Sequence, residues 1–342
     1  MAKTFRLSET VIVSTRIRLA RNFAAYPFPE RMDESQALDI VHLVEKGLTG
    51  LDDSGTFTRY DIADTAEQDL LILQEQHLIS PALLHSKRGA AFVSSDKTLS
   101  IMVNEEDHLR EQYIFKGFDF YKAFERLSAI DDGLSYAYDF AYDKKLGYLT
   151  ACPSNLGTGM RASVMMFLPG LIRSGRLKKM LPSLRKAGLT VRGAFGEGST
   201  AEGYLYQVSN ERTLGMTEGE ILEQMQEVAE TLCEAELTAR IEMIKTSGTE
   251  TRDRCLRAYG ILRYCATLTW KEFMSLVGDI KLGAILGIFQ ITSQTEFDEF
   301  LDYMRPATFK KYNGLKEESE ALCDEVRAEE VNKSIAEFVK VV

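Results

Sequence analysis

Residues Val11-Ile-Val-Ser-Thr-Arg-Ile-Arg-Leu19 alternate cleanly. Val11, Val13, Thr15, Ile17 and Leu19 fall on one face of an extended chain, and Ser14, Arg16 and Arg18 on the other. A segment of that pattern calls for a sheet with core on one side and guanidinium groups on the other. The plain reading of the second face is solvated arginine. The functional reading is a cationic surface for a polyphosphate, because guanidinium forks match phosphate oxygens.

The rest of the chain has to supply that core. Its 342 residues leave room for two domains, or for one with a helical extension, and a hydrophobic fraction of 45% supports a substantial interior. A net charge of -10 argues against sequence-independent nucleic-acid binding, which needs a basic face. The five cysteines, at 152, 233, 255, 265 and 323, show neither metal-ligand spacing nor a disulfide framework, which points to a reducing compartment. His42, His85 and His108 add no ligand spacing, so no protein-bound metal is expected. The N-terminus has no apolar signal core, and the longest apolar run, Val164 to Ile172, is broken by Pro169 and Gly170. The expectation is a soluble cytoplasmic protein with no membrane or direct nucleic-acid partner.

Up to about Asn210 the chain mixes strand-like and helix-like periods. From Thr217 it turns helical: Thr217-Glu-Gly-Glu220 is a capping box, followed by Ile221, Met225, Val228 and Leu232 at helical spacing. Further helices are predicted near Arg252 to Leu268, Thr269 to Phe289, Gln294 to Met304 and Lys316 to Val339. A break at Thr246-Ser-Gly-Thr249 predicts domains over 1–243 and 247–342.

Three more segments carry chemistry. In Cys152-Pro-Ser-Asn-Leu-Gly-Thr-Gly159, a cysteine follows a strand end at Tyr148 to Thr150, and Arg161 to Leu168 reads as the start of a helix. Backbone amides and a nearby cation attract anions and favour a thiolate; the alternative is a tight turn with a buried cysteine. Ser100 to Val103 is a strand running into Asn104-Glu-Glu-Asp-His-Leu-Arg110, either a solvated charged turn or a source of catalytic carboxylates. Leu189 to Val208 reads as two strands around a Gly/Ser/Thr loop, with Arg192 on the first strand and Glu197 in the loop: a long hairpin, or a lid carrying a carboxylate. None of these is a P-loop or a dinucleotide-binding fingerprint.

Together, Ser14-Thr-Arg-Ile-Arg18, Asn104 to Arg110, Cys152 to Gly159 with Arg161-Ala-Ser163, and Arg192-Gly-Ala-Phe-Gly-Glu197 resemble, in order and spacing, the signature blocks of the phosphagen (guanidino) kinases. The resemblance covers roughly the first 240 residues. The arginine block starts almost at residue 14 and a helical extension follows the last block. With Glu75-Gln-His-Leu-Ile-Ser-Pro81 and Leu146-Gly-Tyr-Leu-Thr150, that layout is similar to the bacterial protein-arginine kinases. The resemblance implies an α+β fold, a large antiparallel β-sheet flanked by helices, followed by an all-α C-terminal domain. It implies ATP-dependent phosphorylation of arginine side chains in proteins, in stress response and protein quality control. Implied partners are proteins with exposed arginine, a zinc-binding activator, a heat-shock repressor, a Clp protease and a second copy of the chain. Two alternatives are a kinase for free arginine or another small guanidino compound, and a non-catalytic adaptor that binds a heat-shock repressor.

Guanidinium is a poor nucleophile: with a pKa near ~13 it is neutral in about one part in ~10⁶ at pH 7, a cost of roughly 8 kcal/mol. Carboxylates must orient it and take its proton. By resemblance, Glu106 is the base, Glu197 clamps the guanidinium, and Cys152 sits beside it as a thiolate or hydrogen-bond partner. Arg16, Arg18, Arg110, Arg161 and Arg192 surround the ATP phosphates. Magnesium bridges phosphate oxygens with water as its other ligands. Ser14, Thr15, Ile17, His77, Ala162, Ser163, Val164, Met165, Gly193, Ala194, Phe195 and Gly196 line the nucleotide. Met165 and Phe195 stand where creatine or arginine kinases carry histidine and arginine. In Cys323-Asp-Glu-Val-Arg-Ala328, Cys323 replaces the first arginine of the phosphoarginine-sensing motif of the bacterial group.

Overall fold

The computed structural model describes residues 10–49, 51, 56–193, 202–315 and 319–342. Its strands are β1 (Ile12–Arg21), β2 (Phe57–Asp61), β3 (Ala90–Ser94), β4 (Leu99–Val103), β5 (Leu109–Lys116), β6 (Tyr142–Asp143), β7 (Gly147–Tyr148), β8 (Met160–Phe167), β9 (Leu189–Gly193), β10 (Leu205–Asn210), β11 (Phe289–Ile291) and β12 (Val339–Val341). Its α-helices are α1 (Glu34–Thr49), α2 (Glu67–Glu75), α3 (Phe120–Ala137), α4 (Pro169–Arg173), α5 (Arg176–Lys186), α6 (Glu218–Tyr264), α7 (Trp270–Ile285), α8 (Gln294–Tyr303), α9 (Pro306–Tyr312) and α10 (Glu320–Phe338).

Eight strands form one antiparallel sheet in the order β2-β3-β4-β5-β1-β8-β10-β9, with β1 near its centre. One face buries Ile17 and Leu19 of β1, Ala162 and Val164 of β8 and Val208 of β10 against α1, α3 and the first half of α6. Each such valine, leucine or isoleucine side chain contributes on the order of 1.5–3 kcal/mol by leaving water. The opposite face carries the polar residues of the same strands, as a period of two requires. At the β2–β4 end that second face is closed by a small core in which Leu70 and Leu73 of α2 meet Ala91, Val93 and Met102.

The α+β architecture with a helical C-terminal region agrees with expectation; several local readings need correction. A register shift in β1 between Ile12 and Ser14 turns Val13 out to 40% exposure, and Ile12 is buried in its place. Residues 161–168 do not begin a helix: Met160–Phe167 is strand β8, paired to β1 on one side and β10 on the other. The helix expected over 252–268 is the far half of α6, which runs from the Thr217 capping box to Tyr264 with a kink at Ser247 (φ -142°, ψ 35°), beside Gly248. The helix expected over 269–289 stops at Ile285, and Phe289–Ile291 pairs instead with Val339–Val341.

The C-terminal helices have a core of their own, with Phe273, Phe297, Phe309, Val331 and Ile335 fully buried. They dock on the sheet through polar clips. The Glu75 carboxylate accepts the Ala307 (2.6 Å) and Thr308 (3.1 Å) N–H groups at the start of α9, and Lys311 pairs with Asp69. Asp298 pairs with Lys116 of β5 at 3.4 Å, and the Tyr204 hydroxyl donates to Asp279 at 2.6 Å.

Candidate active site

The free polar face of the sheet gathers the arginines. The register sets Arg18 opposite Arg161, Arg16 opposite Ser163, and Arg110 opposite Ala20 two residues along β1 from Arg18. Ser209 lies opposite Ser163, and Gln207 opposite both Met165 and Arg192. Side chains from five strands therefore converge on one wall of a cleft of about 2230 Å³, whose other wall is built by α7 and α8. Ser14, Arg16, Arg18, His77, Arg110, Arg161, Ser163, Met165, Arg192 and Gly193 all line it. Thr15, Ile17, Ala162 and Val164 do not reach it: their side chains are fully buried on the opposite face, as strand alternation dictates. Ala194, Phe195, Gly196 and Glu197 lie outside the described residues.

The cleft is electrostatically unfavourable without an anion. Burial, Arg110 and Arg161 together push the Arg16 guanidinium down to about 10, and burial with Arg16, Arg110 and Arg161 holds Arg18 well below its ordinary value. Arg16 Nε lies 3.4 Å from Ser163 Oγ, and Arg161 Nη2 donates to Ser209 Oγ at 3.2 Å. Arg18 Nε, buried, has no hydrogen-bond partner among the described residues. A triphosphate would meet unspent donors and relieve the repulsion.

His77 follows α2 with a left-handed backbone (φ 61°), a conformation that costs a non-glycine residue about 1 kcal/mol. Its carbonyl accepts the Gln112 side chain at 2.6 Å. Burial, Arg16 and Arg305 push its imidazole down to about 4, so it is neutral at physiological pH.

The acidic turn is built as a rigid loop. Asn104 adopts φ 57°, its amide donates to the Ala37 and Arg88 carbonyls, and its N–H bonds the His108 carbonyl. His108 is neutral: burial lowers its pKa, Nδ1 accepts the Phe23 N–H at 3.0 Å, and Nε2 therefore donates to the Pro27 carbonyl. Glu105, which sequence reasoning missed, turns inward, accepting from Arg110 (2.9 Å) and Ser80 (2.7 Å). Glu106 turns outward and is exposed. Asp107 turns back into the protein and takes the Ala151 N–H at 2.7 Å, which brings the Cys152 segment against the acidic turn.

Cys152 is half-buried, with Sγ 3.1 Å from Ser154 Oγ, and a 3₁₀ turn over Pro153–Asn155 follows it. The glycines of this segment are forced. Gly157 (φ 110°) would put a Cβ 2.4 Å from the Thr213 carbonyl oxygen, and Gly159 (φ 63°) would put one 2.6 Å from that of Ala20. Cys233, Cys255 and Cys323 are buried and Cys265 is half-buried. In the C-terminal helix α10, Arg327 is also buried, donating to Asp324, to the Leu268 carbonyl and to Cys323 Sγ. Among the described residues no His, Cys, Asp and Glu cluster is placed to hold a metal, and no helix is long and apolar enough to cross a membrane.

Known proteins share this arrangement. Residues 39–239 match the family model of the ATP:guanido phosphotransferase C-terminal catalytic domain, and residues 248–340 match the protein-arginine kinase McsB C-terminal domain. The protein-arginine kinase of Caldanaerobacter subterraneus subsp. tengcongensis is 42% identical over 90% of this chain and 91% of its own length. That of Bacillus subtilis is 38% identical over 89% of this chain and 84% of its own. A lombricine kinase crystal structure superposes with a TM-score of 0.60 at 27% identity, covering 67% of each chain. With its arginine-lined sheet, its acidic turn and these matches over most of its length, the chain belongs to the ATP:guanido phosphotransferase family.

Proposed function

We propose that this chain is an ATP-dependent kinase for arginine side chains in proteins. The observation that carries the reading is the wall of five arginines, buried and crowded enough to depress Arg16 and Arg18, beside a turn that presents Glu106. The protein-arginine kinases to which it is similar over about nine-tenths of its length favour a protein acceptor.

In this reading Arg16, Arg18, Arg110, Arg161 and Arg192 hold the ATP phosphates and neutralise the charge that develops as the γ-phosphoryl moves. Arg110 exchanges part of its contact with Glu105 for a phosphate oxygen. Magnesium would come with the nucleotide, since the donors of the arginine wall suit anions rather than a cation. When bound it neutralises phosphate charge. Glu106 orients the acceptor guanidinium and removes its proton, Glu197 clamps the same group, and Cys152 sits beside it as a thiolate or hydrogen-bond partner, its sulfur accepting from a guanidinium N–H. Residues 1–243 act as the catalytic domain and 247–342 as an appended helical domain. A cytoplasmic place, a homodimer, and a role in stress response beside a zinc-binding activator, a heat-shock repressor and a Clp protease complete the proposal.

The test is incubation with ATP and either casein or free arginine, read by mass spectrometry under conditions that preserve the phosphorus–nitrogen bond. Acid-labile phosphate on casein arginine is the expected result. Phosphorylation of free arginine alone would assign a small-molecule guanidino kinase. No transfer to either acceptor, with a repressor protein bound equally by wild type and Glu106→Ala, would assign an adaptor.

A further inference from the structure

The strand that carries two of the phosphate arginines ends at Arg21, Asn22 follows it, and both grip the Cys152 segment. Asn22 is 1% exposed and Asp107 3%. Asn22 Nδ2 donates to Asp107 Oδ1 at 2.6 Å and to the Leu149 carbonyl at 3.0 Å, while Asn22 Oδ1 accepts the His108 N–H at 2.8 Å. Asp107 Oδ1 also takes the Ala151 N–H at 2.7 Å. One amide and one carboxylate thus join Asp107 and His108 of the acidic turn to both residues flanking Thr150. Arg21 grips the segment from the other side of the strand. Its guanidinium stacks 3.6 Å over the Tyr148 ring and donates to the Thr158 carbonyl at 2.9 Å, anchored by two hydrogen bonds to Asp131 at 2.9 and 2.8 Å.

We propose that Asn22 and Asp107 are positioning residues, whose buried contact fixes the turn bearing Glu106 against the segment bearing Cys152. The proposal rests on the reading that these two side chains flank the acceptor guanidinium. Glu106 and Cys152 stand on elements that share no ladder: the first on a turn between β4 and β5, the second on a loop before β8. Nothing in the sheet register sets their spacing, whereas the Asn22–Asp107 contact does so directly. Because Asn22 follows β1 without a break, the same contact also ties the acceptor side to Arg16 and Arg18 on the donor side. Burial and the nearby Glu105 charge push the Asp107 carboxyl up, and the donors from Ala151, Asn22 and Asn155 offset part of that rise. Asp107 is therefore spent on structure. The neighbouring Glu106 is left exposed for chemistry.

The experiment compares wild type with Asn22→Asp, and with Asn22→Asp combined with Asp107→Asn. It measures kcat and KM for protein arginine phosphorylation, ADP affinity, and the rate at which iodoacetamide alkylates Cys152 in the folded protein. Asn22→Asp sets two carboxylates face to face, and misplacement by about 1 Å is expected to lower kcat by ~10²-fold with ADP affinity within about twofold. Adding Asp107→Asn restores an amide–carboxylate pair in the reverse sense and is expected to recover about tenfold of that loss. Alkylation of Cys152 is expected to change at least about fivefold in the single variant and to return toward wild type in the double. Should Asn22→Asp not fold, Asn22→Ser, which keeps one hydroxyl donor, takes its place with an expected loss of about tenfold in kcat. Activity within twofold of wild type in these variants would overturn the proposal, as would parallel loss of kcat and ADP affinity. If wild type itself transfers no phosphate to protein, the functional reading fails, and the Cys152 alkylation rates alone decide the positioning claim.

Discussion

The two faces of the central sheet use arginine in opposite ways. On the core side Arg21 is 2% exposed and fully matched: burial opposes its charge, and Asp131, through charge and hydrogen bonds, overrides burial so that its pKa is raised. Glu111 beside them is pushed well above the carboxylate range by burial and by Asp131. Arg240 is likewise matched, bonded to Glu236 at 2.6 Å and to the Phe167 carbonyl at 3.0 Å. On the cleft side Arg16 and Arg18 face other cations and are depressed. A buried arginine matched to a carboxylate holds a fold together, whereas arginines crowded against one another are waiting for a ligand.

The largest expected effects separate the site from the fold. Glu106→Gln should lower kcat by ~10³-fold while leaving ADP affinity within about twofold, since a proton acceptor is lost and the phosphate wall is untouched. Arg21→Met should destabilise the fold by about 3–5 kcal/mol in urea unfolding, because Asp131 is left buried without its cation. Stability should also fall with acid through His77. Its native pKa is pushed down to about 4 against an unfolded value near 6.5, so between those limits the unfolded chain binds the extra proton and stability rises with pH. The contribution should amount to about 2 kcal/mol and vanish in His77→Gln, measured as the difference in unfolding free energy between pH 7 and pH 4.5. The smallest effect carries the opposite sign: Arg16→Met should stabilise the nucleotide-free protein by about 1 kcal/mol, by removing a cation from a crowded, half-buried wall. A destabilised Arg16→Met would break the comparison.

Much of this was legible in the chain, and the failures have physical reasons. The alternation through Arg16 and Arg18 gave the cationic face directly, apart from Val13, which a bulge turns outward; the register shift depends on the partner strand β8 and leaves no local trace. Arg161 to Leu168 reads as helical because Met, Ala and Arg favour helix, while the strand state of Met160–Phe167 is imposed by pairing on both edges. Strand β11 was missed for the same reason: its partner lies about fifty residues away, at Val339–Val341. In the acidic turn the three carboxylates looked equivalent, yet Glu105 is spent on Arg110 and Ser80 and Asp107 on Asn22 and Ala151. The resemblance singles out Glu106, and folded geometry adds the physical reason, leaving it exposed while its neighbours are spent. Asn22 itself carried no signal beyond a polar residue after a strand.

Titration calorimetry of magnesium-ADP against Arg18→Met addresses the central claim most directly, run beside urea unfolding of the same protein without nucleotide. The account predicts at least ~10²-fold weaker binding together with equal or greater stability, since a guanidinium kept for phosphate is removed from a crowded wall. Unchanged ADP affinity with a loss of several kcal/mol in stability would show that Arg18 belongs to the fold, and would contradict it.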